Sequence, residues 1–159
     1  MRRLIVPVAA LVFVVLVSVG LSACGSKPAS SATTSTDAPA AIPLTSAFDQ
    51  GARAGAGPID ESQVARGEQL FKDKGCSACH AFGKRLSCPD LNGVAMRRTA
   101  AWMEHQILHP EVMTKEDPIA RGLFAEYSLQ MPNQQLTADE AKSVIEFLKH
   151  QDHEASEHH

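Results

Sequence analysis

Aromatic side chains are scarce in this 159-residue chain: one Trp, one Tyr and six Phe, or 5%. A domain with so few large apolar groups has a thin core and gains stability from burying a bound group. There is no excess of positive charge either. The 15 Lys and Arg against 18 Asp and Glu leave a formal charge of −3, which lacks the electrostatic footprint of a nucleic-acid binder. No alternation of apolar and polar residues is long enough to argue for a strand. No carboxylate pair, nucleophile triad or phosphate-binding loop stands out.

What is present begins with a targeting segment. Residues 1–23 combine Arg2 and Arg3, an apolar stretch from Leu4 to Val19, and the small residues Gly20-Leu21-Ser22-Ala23. That is the order of a secretory signal peptide. The stretch is shorter than the roughly 20 residues of a bilayer span, and Pro7 interrupts it, so an uncleaved anchor is the weaker alternative. Leu21-Ser22-Ala23-Cys24 resembles the bacterial lipobox. The resemblance implies that Cys24 becomes the lipidated N-terminus of the mature chain. Two or more acyl chains there would hold the protein to a lipid membrane, on its extracytoplasmic side, periplasmic or at the cell surface. Losing Arg2 and Arg3 with the signal takes the formal charge from −3 to −5.

Residues 24–58 form the next unit. Of these 35 residues, 26 are Ala, Ser, Thr, Gly or Pro, too little apolar surface to offset the entropy of ordering. The segment reads as a flexible tether with a reach of roughly 30–35 Å. Its small apolar cluster, Ile42, Leu44 and Phe48, reads either as sticking to the folded domain or, in preference, as having no role. The folded domain is expected over 59–151, and 152–159 reads as a disordered polar tail.

Within 59–151 the pattern is helical. Asp60, with Gln63 three residues on, is a helix cap, and Val64, Gly67, Leu70 and Phe71 then share a face. A second helix is expected from Ala100 to Leu108, capped by Thr99 and stopped by Pro110. A third starts at Asp117-Pro118 and presents Ile119, Leu123 and Phe124. The last begins with the capping-box spacing of Thr137 and Glu140. It carries Ala141, Val144, Ile145 and Leu148 at helical spacing, flanked by Phe147. The expected class is therefore all-α, with three to five helices.

Cys76-Ser77-Ala78-Cys79-His80 is the attachment motif for a c-type haem. Each thiol can add to one haem vinyl group to form a thioether. Two cysteines three apart lie on one face of a helical turn, so both reach the same ring edge, and His80 delivers an imidazole nitrogen to the iron. A thioredoxin-like pair would need a βαβ context. A zinc site would need about four ligands, which Cys76, Cys79, His80 and Cys88 supply only on paper. A disulfide within the motif leaves His80 without a role. The export signal agrees with haem, because c-type attachment takes place outside the cytoplasm.

Iron held by His80 has a second axial position, which cytochromes c commonly fill with Met. Met131 is the best placed. It lies 51 residues after His80 in an irregular segment before the last helix, and Pro132 restricts it to an extended conformation. Met103 reads as core filler, Met96 follows Gly93-Val94-Ala95, and Met113 falls in a loop after Pro110. His105, His109 and His150 are rival ligands that read as surface histidines.

Gly67-x-x-Leu70-Phe71, the Cys76–His80 motif, Pro89-x-Leu91-x-Gly93-Val94, and Met131-Pro132-x-x-x-Leu136-Thr137 with the helix to Lys149 together resemble a class I monohaem cytochrome c. The resemblance covers about residues 60–150. It implies a small fold around one covalent haem c, in which the first and last helices cross and Gly67 and Phe71 meet Phe147 and Leu148. It implies that the Pro89 carbonyl accepts a hydrogen bond from the second imidazole nitrogen of His80 and so fixes the ring. It also implies an electron carrier rather than an enzyme, passing single electrons between respiratory redox protein partners. The alternatives are a haem-based ligand sensor or peroxidase-like enzyme with an open sixth site, and a haem subunit of a larger respiratory complex.

Cys88 departs from the family, which has a small residue such as glycine there. It reads as a buried inert thiol, a reactive one, or one that pairs between molecules. Residues 72–98 carry Lys72, Lys74, Lys84, Arg85, Arg97 and Arg98 against Asp73 and Asp90. That is either a basic ring that steers an acidic partner or a solvated mixed face. His153, His158 and His159 read as a loose metal-binding group or, in preference, as a solvated tail.

Overall fold

The computed structural model describes residues 45–158, and they contain helices and no strand. The signal segment, the acylation site at Cys24, the tether up to residue 44 with Ile42 and Leu44, and His159 lie outside the described residues. The α-helices are α1 (Glu61–Asp73), α2 (Val94–Arg97), α3 (Ala100–Leu108), α4 (Pro110–Glu116), α5 (Pro118–Tyr127) and α6 (Ala138–Glu157), with 3₁₀ turns at Ala54–Ala56 and Cys76–Ala78. No described helix is long and apolar enough to cross a membrane.

The helix starts follow the sequence signals. Thr99 caps α3 by accepting from Trp102 N, and Thr137 and Glu140 form a reciprocal capping box on α6. Asp60 caps α1 through Ser62 N at 3.1 Å. Gln63 does not complete a box there. Its Oε1 accepts from Ser143 Oγ at 2.7 Å, and the Asp60 N–H donates to Glu146 at 2.8 Å. Both bonds run from the start of α1 to α6. They lie on the N-terminal side of Gly67, where α1 and α6 come into close contact. A Cβ there would sit 2.8 Å from Phe147 Cβ and would run into the Ser143 carbonyl. Phe71 meets the Phe147 ring beside it, at 5.5 Å between centroids.

Six α-helices exceed the three to five expected. Pro110 does not simply stop α3. His109 closes α3 and precedes α4, with Pro110 in the first turn of α4, where its missing N–H costs nothing. Met113, expected in a loop, is therefore helical and 1% exposed. Asp117 caps α5, accepting from Ile119 N and Ala120 N at 2.9 Å and from Trp102 Nε1 at 3.1 Å.

Both domain boundaries move outwards. Residues 45–58 pack on the helices instead of belonging to a free tether. Phe48 packs against the core cluster and stacks on His105 at 4.5 Å. The Asp49 carboxylate accepts from Thr99 N at 2.7 Å and pairs with Arg53 at 2.8 Å. Lys149 Nζ donates to the Pro58 carbonyl. One aromatic ring and one multiply bonded carboxylate order a segment whose average composition argues for disorder. At the other end, α6 runs to Glu157, so the expected disordered tail is helix. Asp152 is buried and accepts from Gly93 N at 2.5 Å and Ala95 N at 2.7 Å. His150–Glu154 and His153–Glu157, each four residues apart, face one another along the last turns.

Candidate functional site

α1 ends at Asp73 with Lys74 as its C-cap, and Gly75 takes the left-handed conformation (φ +76°) that glycine adopts without strain. The chain then turns directly into Cys76–Ala78. Cys79 N donates to Cys76 O at 3.2 Å and His80 N to the same carbonyl at 3.0 Å. In a 3₁₀ turn residues i and i+3 eclipse, so Cys76 and Cys79 share one side of the turn, as their spacing predicts for a helical turn.

His80 is half-buried, and its Nδ1 lies 2.8 Å from the Pro89 carbonyl oxygen. A carbonyl only accepts, so Nδ1 carries the proton and Nε2 keeps its lone pair. Burial pushes the imidazole pKa below its ordinary value, against the opposing effect of the Pro89 bond; a neutral ring is the form that can ligate a metal. The Pro89 carbonyl is held by a loop closed at two points, Cys88 N to Cys79 O at 3.2 Å and Leu91 N to Ala81 O at 2.9 Å. Asp90 braces it from inside, accepting from Gly83 N and Asn92 N at 2.8 and 2.9 Å.

Met131 stands on the segment between α5 and α6. Its sulfur lies 3.7 Å from Gln106 Nε2, and Asn133 Nδ2 donates to the Leu108 carbonyl at 2.9 Å. α3 thus holds this segment at two points. Two cavities, of about 190 and 270 Å³, open beside one another, and Cys76, His80, Cys88, Leu129 and Met131 line both. The first is walled mainly by apolar side chains, among them Phe71, Val94, Trp102, Leu123 and Leu148. The second adds Cys79 and Pro132.

Two thiols on one turn, an imidazole with a free Nε2 and a thioether therefore border one apolar space. Thiols, imidazole and thioether are the donor set a covalently held haem takes, and the residues present fit that group. Of the rival sixth ligands, Met103 is buried in the wall of the first cavity, whereas Met113, His105, His109 and His150 line neither. Met96 is 57% exposed.

Cys88 is buried. Burial, and then its neighbour Cys79, push its thiol pKa up, which leaves little thiolate for reaction. Burial likewise raises the Cys76 thiol. The cluster of positive charge is partly neutralised within the chain. Lys72 pairs with Glu68 at 2.6 Å and Arg98 with Asp49 at 3.4 Å. Arg85 pairs with Glu126 at 2.9 Å and stacks over Tyr127. Arg97 donates to the carbonyls of Asn92 and Asp90. Lys84 is exposed.

Sequence reasoning missed two residues at this site. Gln106 is a polar side chain between Met103 and Ile107 on the cavity side of α3, a break in an apolar face that could have flagged it. Asp117 bonds Trp102 in the cavity wall; its proline neighbour marked it only as the start of a helix.

Known proteins similar to this chain are cytochromes c. The chain is 30% identical to the cytochrome c-551 of Ectopseudomonas mendocina over 84 residues, which cover 95% of that protein and 53% of this chain. Among solved structures, a cytochrome c from Rhodothermus marinus superposes with a TM-score of 0.58 at 28% identity, over 64% of this chain and 96% of that one. An engineered form of that cytochrome c superposes with a TM-score of 0.57 over the same shares. The family profile described as Cytochrome c matches residues 64–152, more than half of the sequence, and the chain belongs to that family.

Proposed function

We propose that this cytochrome c is a one-electron shuttle tethered to the extracytoplasmic side of a membrane, with Cys76 and Cys79 as the thioether attachment points and His80 and Met131 as the axial ligands. Cytochromes c carry a covalent haem c and pass electrons rather than catalyse bond chemistry. When bound, the haem iron supplies the one-electron couple, and the chain sets its ligands, burial and access.

The observation that carries the ligand reading is that His80 and Met131 line the same two cavities, with His80 Nδ1 tied to the Pro89 carbonyl at 2.8 Å. A ligand pair fixed on rigid elements limits rearrangement when the oxidation state changes, which suits a carrier. The test is the absorption spectrum of oxidised and reduced holoprotein beside Met131→Ala. A sulfur-to-ferric-iron charge-transfer band that disappears in the variant establishes the pair. A wild-type spectrum of bis-histidine or five-coordinate iron refutes it and brings forward a ligand-binding role.

The tether rests on the signal pattern and on Cys24 at its end. Cys24→Ser is expected to release the protein from the membrane fraction; retention there in full would refute acylation at Cys24 as the anchor. An acidic docking face on the partner is supported by exposed Lys84. Lys84→Glu is expected to slow electron transfer most at low salt. A change insensitive to salt would place docking elsewhere.

A further inference from the structure

We infer that Gln106 is a positioning residue that tunes the redox site, by donating a hydrogen bond from Nε2 to the sulfur of Met131. The inference rests on Met131 being the sixth ligand, as proposed above.

Gln106 Nε2 lies 3.7 Å from Met131 Sδ, within range for a sulfur acceptor. A thioether sulfur has two lone pairs and accepts weakly. One can face a metal while the other takes the amide proton. A glutamine amide could also be turned over, but that would set Oε1 against the electron-rich sulfur. The donor orientation is the one that chemistry selects.

A second observation comes from the other half of the amide. Gln106 Oε1 is buried and has no hydrogen-bond partner among the described residues. An unpaired buried carbonyl is costly, and its neighbours Met103 and Ile107 line the cavity with purely apolar surface. A leucine would pack there without that penalty. A residue chosen for packing alone would not be an amide, whereas one chosen to reach sulfur must be a donor. α3 also grips the Met131 segment through the Leu108 carbonyl and Asn133 at 2.9 Å, so the donor and its target are held by the same helix.

The sign follows from electrostatics. A proton on the sulfur withdraws density from the lone pair facing the iron and places the positive end of a dipole near it. Both disfavour the ferric state relative to the ferrous state, so the bond raises the reduction potential and steadies the ligand's orientation. Removing it lowers the potential.

The experiment compares wild-type holoprotein with Gln106→Leu and Gln106→Glu, reading midpoint potential, the sulfur-to-iron charge-transfer band, and displacement of Met131 by added imidazole. Gln106→Leu is expected to shift the ferric/ferrous equilibrium three- to tenfold toward ferric, the larger value being about 59 mV for one electron. Imidazole should bind the ferric form several-fold more tightly. Gln106→Glu keeps a polar side chain, removes the donor and adds negative charge, so its potential should fall further. The pair guards against a folding defect in either variant. Unchanged or raised potentials in both variants, with the charge-transfer band intact, overturn the role of Gln106. If Met131→Ala leaves the wild-type spectrum unaltered, the ligand reading itself fails, and the two failures are distinguishable. In a Met131→His background the Gln106→Leu shift should collapse; an undiminished shift there means that Gln106 acts otherwise than through the sulfur and overturns the inference.

Discussion

Replacing Gly67 with alanine tests the helix crossing on which the site is built. In an exposed helix the change should help, because alanine exceeds glycine in helix propensity by about 1 kcal/mol. At Gly67 the added methyl would sit 2.8 Å from Phe147 Cβ and against the Ser143 carbonyl of α6. Carbon atoms prefer about 3.5–4.0 Å, so α1 and α6 must part by about 1 Å, and a gap of that size forfeits a quarter to a half of each affected contact. Neither obstacle is the far end of a flexible side chain, so no rotamer change relieves it. Overpacking costs about 1–3 kcal/mol, and obstacles as rigid as these put Gly67 at the upper end, about 2–3 kcal/mol. Offset by the propensity gain, the net loss should be about 1–2 kcal/mol in urea unfolding of the holoprotein. Gly122, exposed in the interior of α5, is the control. Gly122→Ala should stabilise by about 0.5–1 kcal/mol. If Gly67→Ala were as stable as wild type, α1 and α6 would not meet through their backbones and the reasoning would be refuted.

Two further outcomes follow from buried polar groups. Burial pushes the Asp49 pKa up, but the Thr99 N–H, Arg53 and Arg98 outweigh it and hold the carboxyl below its ordinary value. Its stabilisation is therefore present above the unfolded pKa and lost as pH falls through the lower folded one. Asp49→Asn should cost about 1.5–3 kcal/mol near neutrality and much less near pH 3; urea titrations at the two pH values that gave equal losses would contradict this. Cys88 is 6% exposed, so a thiol reagent should leave it unlabelled in folded holoprotein and modify it once denaturant is added. Labelling at the native rate of a surface thiol would show the loop around Pro89 to be open.

The parts of the fold that were legible in the sequence depend on local chemistry. Asp60, Thr99 and Thr137 cap the first turn that follows them, and such bonds involve residues two or three apart. The attachment motif is legible for the same reason, since its two thiols and imidazole occupy five consecutive positions. The missed features have distant partners. Phe48 and Asp49 look like part of a tether until His105 and Thr99, 50 or more residues on, are placed beside them. Asp152 sits in a polar stretch, and only its bonds to Gly93 and Ala95 explain its burial. Pro110 was legible as a boundary, but whether it ends one helix or begins another depends on the geometry of His109.

Those two distant carboxylates act on one stretch of chain. α2 has four residues, too few to be stable alone. Asp152 binds the N–H groups of Gly93 and Ala95 at its start, and Asp49 binds Thr99 N and pairs with Arg98 just past its end. Val94, Arg97 and Arg98 line the cavity, so the wall they form is clamped from both ends by segments outside 59–151. A chain cut to begin at residue 59 should retain Asp152 but lose Asp49, freeing Arg98 and the Thr99 N–H together. Its stability near neutrality should fall by at least as much as in Asp49→Asn, because the Phe48 contacts go as well. The opposite protonation behaviour of the two clamps separates their effects. Burial pushes the Asp152 pKa above its ordinary value, against the Ala95 and Gly93 bonds, so its contribution is greatest below the unfolded pKa and declines as pH rises through the folded one. The contribution of Asp49 runs the other way. Acidification should therefore loosen the Thr99 end of the segment while leaving the Gly93 end held, and amide exchange at Thr99 should rise before that at Gly93. Simultaneous loss of protection at both amides would mean that the segment opens as one unit, with neither carboxylate holding its own end.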